Sequence, residues 1–250
     1  MLKFNSIRFL FFMLSYSIYK SKMHLLVDND RQMNIWWSAK CGCSFVKNLY
    51  YTIVLKKEIS DIHSRETYAA IYDQHNKNFL NLYVCRNPYA RIVSSFAQKL
   101  ELYPEYTSFE GFVDMLYDHY VNRKNVIKDV HHTTPQFSEL FPFWDNNFYF
   151  HDIVKLEELD RVDLLDRWFD IHTEKKPKTD FGYNMNVQKN THTVANAFKL
   201  SRQEIIQLKK DGKVPHYTSF YNDKIKQKID RIYRIDFKMF EKYGIHYKLE

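Results

Sequence analysis

The sequence predicts an α/β fold, in which a mainly parallel central sheet is flanked by helices to give three layers. Two short apolar segments, at 33–37 and 79–85, each lead through a polar loop into a helical pattern, and a third, at 147–156, precedes another. Strands that alternate with helices are typical of parallel sheets, because each parallel connection needs a crossover. With 250 residues, 45% of them hydrophobic, the chain can bury one such core.

Residues 25–250 are assigned to a single domain, because no internal repeat or low-complexity linker divides them. Residues 1–24 form an apolar N-terminal segment in which Lys3 and Arg8 precede the run 9–14. This run has the length of a signal-peptide core and is shorter than the roughly 20 residues of a spanning helix. Two interpretations stay open: a signal anchor in a Golgi or secretory membrane, or an element docked on a domain that is then cytoplasmic.

The first strand–helix unit starts with the β-prone residues 33–37 and continues through a loop at 38–43. A helix is predicted from about Ser44, because apolar side chains recur at helical spacing up to Ile53. In the second unit, residues 79–85 are nearly all apolar, as expected of a strand that is buried on both faces. Pro88 suits the first turn of the helix that follows.

Four further helices are predicted from capping and periodicity. Thr107 with Glu110, and Ser201 with Glu204, have the spacing of capping boxes. The third apolar segment leads into a helix over 160–171. A last long helix is predicted over 222–243, and Gly244 is expected to end it.

The five glycines exclude several familiar classes of nucleotide-binding protein and hydrolase. They lie at least 30 residues apart, so no dinucleotide fingerprint, Walker A loop, kinase glycine loop or nucleophile elbow exists here. Three cysteines are too few for a disulfide framework. The formal net charge of +7 indicates an anionic partner without identifying it.

The loop after the first strand has the composition of an anion cradle. Lys40 supplies a cation, Cys41, Gly42 and Cys43 supply consecutive backbone amides, and Ser44 places a hydroxyl at the helix start. Amides and the helix dipole at such a position favour phosphate. If the backbone amides of this loop bind a phosphate, they do so in a loop that contains a single glycine.

The loop after the second strand carries a second candidate anion site. Arg86 leaves the strand tip with a planar guanidinium that suits a phosphate, and Ser94 lies two turns into the next helix. Each signal alone is weak, because surface lysines and arginines usually serve no site. Two such loops at the carboxyl ends of parallel strands predict a ligand with phosphates at two separated places.

Both loops resemble motifs of the carbohydrate sulfotransferases. Residues 39–47, AKCGCSFVK, look like the 5′-phosphosulfate loop P-K-x-x-[CG]-[TS]-x-x-[KR], and residues 86–96, RNPYARIVSSF, look like the 3′-phosphate motif R-[DN]-P-[FYW]-x-R-L-V-S-x-[FY]. Weaker similarities follow in order at 132–136 (H-x-x-P-Q), 154–159 (K-x-E-x-L) and 237–244. The resemblance covers roughly residues 33–245, and Ala39 departs from it where the family usually has proline.

The resemblance implies a P-loop-NTPase-like sulfotransferase fold and the sulfuryl donor 3′-phosphoadenosine 5′-phosphosulfate (PAPS), with no metal. It places Lys40, Gly42, Cys43 and Ser44 at the 5′-phosphosulfate, with the amide of Cys41 in the same loop, and Arg86 and Ser94 at the 3′-phosphate. The implied acceptor is a hydroxyl, with a carbohydrate favoured over a phenol or steroid. No specific nucleic-acid partner is expected, membrane contact would come only through residues 1–24, and the oligomeric state stays open.

Sulfuryl transfer needs charge stabilisation on the leaving oxygen and a base on the acceptor. Lys40 and the loop amides are the candidates for the first task. For the base, His63 precedes the second strand where related enzymes place one, and His132 is the main competitor. His75, His131 and the carboxylate of Glu66 remain further candidates.

Two other function classes compete with this interpretation. Asp28-Asn29-Asp30 follows an apolar run, like the D-x-D of metal-dependent glycosyltransferases, although it is also ordinary turn chemistry. Basic and aromatic residues together suit a nucleic-acid-binding protein, but most aromatic side chains here fall at core spacing. A sulfotransferase fold that only binds its nucleotide is a third possibility.

Overall fold

The computed structural model describes residues 25–57, 76–99, 108–124, 127, 130–137, 148–159, 161–170 and 191–249. Within these residues, four strands form the main sheet in the order β1-β2-β3-β4. They are β1 Leu25–Asp28, β2 Met33–Trp37, β3 Leu80–Cys85 and β4 Asp152–Lys155. β2, β3 and β4 run parallel, whereas β1 pairs antiparallel with β2. The predicted fold class, α/β with a mainly parallel sheet, is confirmed.

The helices follow the strands as the periodicity predicts. They are α1 Cys43–Leu49, α2 Pro88–Lys99, α3 Phe109–Tyr120, α4 Arg161–Phe169, α5 Arg202–Lys210, α6 Asp223–Ile232 and α7 Arg234–Lys242. A π-helical turn, Tyr50–Val54, extends α1. Two short parallel strands, β5 Thr191–His192 and β6 Val214–Pro215, form a separate small sheet.

Alternate residues of each strand enter different hydrophobic clusters on the two faces of the sheet. Ile35 and Val84 pack with residues of α1 and α4 on one face. Trp36 and Tyr83 pack with Phe240 of α7 on the other. Neighbouring side chains of a strand point to opposite faces of the sheet. Both faces are therefore apolar, and helices cover both of them. A third cluster joins α2, α3, α5 and α6 beside the sheet.

β1 is an antiparallel edge strand. In the sequence its residues form only the apolar run before Asp28-Asn29-Asp30, from which no strand was predicted. A tight turn joins β1 to β2. The buried carboxylate of Asp28 forms this turn by accepting from the Arg31 backbone N–H at 3.1 Å and from Arg31 Nη1 at 2.9 Å. Asp28 therefore has the role of a turn residue, and within the described residues no group of three potential metal ligands is found.

The prediction of one long C-terminal helix is wrong, since α6 and α7 are separated at Tyr233. Tyr233 is fully buried, and its hydroxyl donates to the Thr133 carbonyl at 2.6 Å. This contact fixes the break, after which α7 brings Asp236 under residues 136–137.

The cap of α3 also differs from the predicted capping box, because the Ser108 side chain accepts from the Gly111 N–H. The Ser201–Glu204 capping box is confirmed.

In the part of the chain that the structure describes, no helix is long and apolar enough to cross a membrane. Residues 1–24, on which the anchor hypothesis rests, lie outside the described residues.

Candidate functional site

Three polar segments meet at one edge of the sheet because β2, β3 and β4 are parallel. The register pairs Trp37 with Val84 and Cys85 with Lys155, so these strands end side by side. The first connection, residues 38–42, leads from β2 into α1. The second connection, residues 86–87, leads from β3 into α2, and residues 156–158 follow β4 as a short helical turn. The edge therefore holds both predicted anion loops.

The first connection has an unusual backbone. Lys40 (φ 67°) and Gly42 (φ 73°) both lie in the left-handed region, and the Cys41 N–H between them donates to the Ser38 carbonyl at 3.1 Å. A Cβ on Gly42 would lie 2.8 Å from Leu156 Cδ1. Gly42 is therefore required twice, by its conformation and by the close approach of residue 156.

The carbonyl groups of the first connection point into the protein. Arg91 Nε donates to the Ala39 carbonyl at 2.8 Å, and Arg86 Nη1 donates to the Lys40 carbonyl at 3.0 Å. The Gly42 carbonyl accepts from the Val46 N–H at 3.0 Å. In a trans peptide the N–H of the next residue points the opposite way. The Cys43 N–H therefore points out of the start of α1.

This geometry fits an anionic group at the start of α1. Among the described residues, the backbone N–H groups of Gly42 and Cys43 have no hydrogen-bond acceptor. The residues on either side, Lys40 and Ser44, are both half-buried. Two amides without acceptors beside a cation and a hydroxyl form the arrangement that favours phosphate. The predicted loop residues are thus brought together, although the Cys41 amide is used by the loop's own turn.

The second connection is held by hydrogen bonds from several directions. The Asn87 side chain accepts from the Tyr89 N–H at 3.0 Å and so caps α2. The Asn87 N–H donates to Glu157 Oε1 at 3.0 Å, and Arg86 Nε lies 3.9 Å from the same oxygen. The Arg86 side chain is 19% exposed, and its Nη2 has no hydrogen bond within the described residues. Arg86 therefore keeps donor capacity for a ligand.

Ser94 lies on α2 one turn beyond Arg91. Its side chain is half-buried, and its hydroxyl has no hydrogen-bond partner among the described residues. Its neighbour Ser95 is buried and donates to the His132 carbonyl at 2.6 Å. Ser94 is therefore the serine of this pair that can still donate to a ligand.

Gln136 joins the two connections, and sequence reasoning gave it no role. Its Oε1 accepts from the Cys41 thiol at 2.9 Å and from the Arg86 N–H at 3.0 Å, while its Nε2 donates to the Arg86 carbonyl at 2.8 Å. The carboxylate of Asp236 fixes this segment by accepting from the Gln136 and Phe137 N–H groups, both at 2.9 Å. The H-x-x-P-Q similarity was the signal that marked this residue.

Arg91 is a second residue whose role sequence reasoning missed. It is 1% exposed, and in addition to the Ala39 carbonyl it donates from Nη1 to the Thr134 carbonyl at 2.7 Å. The second arginine of the 3′-phosphate motif, the last residue of RNPYAR, was the available signal. Arg91 ties the first connection to residues 133–136.

Burial sets the protonation of the groups around the two connections. It raises the pKa of the Cys41 thiol well above its ordinary value, so the thiol is neutral and can donate to Gln136. Burial lowers the pKa of Arg86, a shift that Glu157 opposes, and an arginine remains charged at neutral pH. Burial also raises the pKa of Glu157. The site therefore has a cationic side at Arg86 and Arg91.

Lys47, the last residue of the first motif, is buried on α1. Its Nζ lies 4.8 Å from the centre of the Trp37 ring, a cation–π contact across the start of the first connection. Burial lowers its pKa, and Cys43 opposes that shift. Lys47 thus packs α1 against the end of β2.

Of the predicted base candidates, the structure describes His132 and His131. The two rings lie 4.7 Å apart and are half-buried in the turn that leads to Gln136. His63, Glu66 and His75 lie outside the described residues. The assignment of the base stays a prediction.

Comparison with known proteins identifies the family. A model described as sulfotransferase family matches residues 23–244, which include both connections and every described residue of the candidate site. No curated protein and no solved structure matches the chain significantly. Because the match spans most of the sequence, this chain belongs to the sulfotransferase family.

Proposed function

We propose that this sulfotransferase moves a sulfuryl group from PAPS to a hydroxyl acceptor, with a carbohydrate favoured. The observation that carries the proposal is the orientation of the first connection. Its carbonyls face Arg91 and Arg86, while the amides of Gly42 and Cys43 have no acceptor among the described residues. Because Arg86 contacts the first connection directly, both anion-binding loops can serve one nucleotide.

Each site residue has a separate task in this proposal. The amides of Gly42 and Cys43 donate to the 5′-phosphosulfate, Lys40 balances its charge, and the Ser44 hydroxyl orients it. Arg86 and Ser94 hold the 3′-phosphate. When bound, PAPS supplies a sulfuryl group on a phosphate leaving group. The hydrogen bonds that fix residues 38–42 in advance reduce the reorganisation needed during transfer.

A base must take the proton from the acceptor hydroxyl as it attacks. His63 is the first candidate and His132 the second. Support for His132 comes from its fixed backbone, since its carbonyl accepts from Ser95 of the helix that carries Arg91 and Ser94. Separate His63→Ala and His132→Ala variants assign the base. The variant that lacks the base should transfer sulfate about 100-fold more slowly, or slower still. Wild-type rates in both variants would refute the assignment.

The proposal is tested by incubating the protein with PAPS that carries labelled sulfate and a panel of acceptors. The panel includes acidic and neutral glycans, a phenol and a steroid, and the buffer contains a metal chelator. We expect label on at least one glycan. Absence of transfer to every acceptor, with nucleotide binding intact, would instead indicate a non-catalytic binding protein.

The same protein preparation separates the remaining classes. We expect adenosine 3′,5′-bisphosphate to raise the melting temperature, because a ligand of the native state stabilises it by mass action. Salt-dependent stabilisation by an oligonucleotide alone would favour the nucleic-acid interpretation. Binding of a nucleotide sugar that depends on manganese would favour the glycosyltransferase interpretation.

A further inference from the structure

Residues 245–249, here called the C-terminal strap, lie outside the part of the chain that the family model matches. They follow α7 after a turn at Gly244, whose φ is 71°. The Gly244 and Ile245 N–H groups donate to the Glu241 and Phe240 carbonyls, both at 3.0 Å. The start of the strap is therefore fixed to the end of α7.

The strap crosses between two hydrophobic clusters. Ile245 and Tyr247 pack against the cluster that covers one face of the sheet, whereas Leu249 packs against the helical cluster of α2, α3, α5 and α6. The Tyr247 ring meets Phe240 edge to face, with 5.0 Å between ring centres. Packing at both ends holds the strap across the carboxyl end of β3.

The strap contacts the residues on both sides of Arg86. The Tyr247 hydroxyl lies 3.3 Å from Cys85 Sγ, and the Lys248 carbonyl accepts from Asn87 Nδ2 at 3.2 Å. Asn87 at the same time caps α2 through the Tyr89 N–H. The backbone that presents the Arg86 side chain is thus fixed from the strap as well as from Gln136.

Burial favours the neutral forms of both partners in the Tyr247–Cys85 contact. Burial raises the pKa of the Cys85 thiol to about 12, and burial also raises the pKa of Tyr247. Both groups are therefore neutral when the protein is folded, and one can donate to the other.

We propose that the C-terminal strap positions the second connection, so that Tyr247 sets the affinity for the 3′-phosphate of the donor without touching it. The inference rests on the proposed function, which assigns Arg86 to that phosphate. It predicts an unequal effect: loss of the strap contact weakens binding of the 3′-phosphate, whereas the first connection keeps its contacts with Arg91 and Gln136 and binds the 5′-phosphate almost unchanged.

The test compares two tyrosine variants by calorimetric titration with adenosine 3′,5′-bisphosphate and with adenosine 5′-monophosphate. Tyr247→Phe removes the contact with Cys85. Tyr243→Phe is the matched control, because its hydroxyl accepts from the Phe150 N–H at 3.0 Å and contacts neither connection. We expect Tyr247→Phe to raise the dissociation constant of the bisphosphate about three- to tenfold, the worth of one hydrogen bond. The monophosphate constant, and both constants in Tyr243→Phe, should change less than about twofold.

Variants of Cys85 provide the second measurement if Tyr247→Phe folds poorly. Cys85→Ala should reproduce the selective loss, whereas Cys85→Ser keeps a partner for the Tyr247 hydroxyl and should retain the affinity. Lys248→Ala keeps the main-chain carbonyl and should bind both nucleotides like the wild type.

Four results would overturn the inference. The first is unchanged bisphosphate affinity in Tyr247→Phe and Cys85→Ala, and the second is an equal loss of affinity for both nucleotides. The third is a loss of bisphosphate affinity in Cys85→Ser as large as in Cys85→Ala. The fourth is a selective loss of bisphosphate affinity in Lys248→Ala, which would assign the effect to the lysine charge. A wild-type protein without preference for the bisphosphate would show that the proposed function itself is wrong, and the inference would fall with it.

Discussion

The two connections at the carboxyl edge of the sheet are built in different ways. The first contains two left-handed residues, Lys40 and Gly42, and its carbonyls depend on arginines from the second connection and α2. The second contains no left-handed residue, and Pro88 starts its helix at once. Both connections have partners that are distant in sequence, but only the first also has to hold two residues in the left-handed conformation.

This difference explains how a chain with five glycines can form a phosphate loop. A glycine-rich loop obtains its amide orientation from backbone freedom. Here a single glycine suffices, because Arg86, Arg91 and Gln136 hold the neighbouring carbonyls and the Cys41 thiol. We therefore expect donor affinity to be more sensitive to substitution in and around the first connection than in the second.

The largest effect is expected at Gly42. Gly42→Val combines a left-handed φ with a Cβ that would lie 2.8 Å from Leu156 Cδ1. We expect the transfer rate to fall about 100- to 1,000-fold, the range for lost oxyanion donors, with bisphosphate binding abolished and the fold retained. Rates with labelled PAPS, titration and circular dichroism measure the three outcomes.

Gly212→Val is the matched control for backbone strain. Gly212 has φ 69°, and a Cβ there meets no atom within 4 Å. It should lose about 1–2 kcal/mol of unfolding free energy through strain alone and keep its donor affinity. The double variant Gly42→Ala/Leu156→Ala should bind better than Gly42→Ala, because it removes the close contact. Equal donor binding in Gly42→Val and the wild type would contradict this account of the loop.

The next effect is expected at Arg91. Arg91→Met leaves the Ala39 and Thr134 carbonyls without their donors. We expect a loss of about 2–5 kcal/mol in unfolding free energy, measured in urea, and a bisphosphate dissociation constant about 10- to 100-fold higher. Arg167→Met is the control, because its ion pairs with Asp152 and Asp163 lie on the surface and contribute about 1 kcal/mol or less. Similar losses in both variants would contradict the structural role of Arg91.

A smaller effect is expected at Gln136. Gln136→Leu removes the links to Cys41 and to the Arg86 backbone but leaves every ligand-facing group in place. We expect the bisphosphate dissociation constant to rise about three- to tenfold. Gln207→Leu, on the exposed face of α5, should leave it unchanged. If Gln136→Leu binds like the wild type, the two connections are positioned independently.

The smallest effect on binding is expected from Asp236, which acts mainly on stability. Burial raises its pKa from 3.8 to about 6. The folded state therefore holds a proton more tightly than the unfolded state. This stabilisation is complete below pH 3.8 and is lost as the pH rises through 6.

Urea titrations of the wild type and Asp236→Asn at pH 5 and pH 7.5 test this sign. The wild type should exceed the variant by more at pH 5 than at pH 7.5, by about 1–1.5 kcal/mol. Asp163→Asn, which removes a carboxylate from an exposed face, is the matched control. A difference that grows towards pH 7.5 would contradict the direction of the shift.

The sequence predicted the local parts of this structure well. The strand at 80–85, the start of α2 at Pro88 and the Ser201 capping box all follow from short-range patterns. The pairing of the two anion loops followed from the rule for parallel strands. The strand, the helix start and the cap depend on residues that are close in the chain, whereas the pairing of the loops follows from a general property of parallel sheets.

The features that were not predicted depend on distant contacts. The break at Tyr233 is fixed by the Thr133 carbonyl, 100 residues away. Gln136 reaches the first connection across 95 residues. Periodicity carries no information about such partners, because α6 and α7 share one continuous apolar pattern across the break.

The most direct test of the central claim is calorimetric titration of the wild-type protein, in the presence of a metal chelator, with adenosine 3′,5′-bisphosphate and with each adenosine monophosphate. If the two connections form one nucleotide site, the bisphosphate binds with one site per chain and at least about tenfold more tightly than either monophosphate. Equal affinity for the three nucleotides, or no binding of the bisphosphate, would contradict the account.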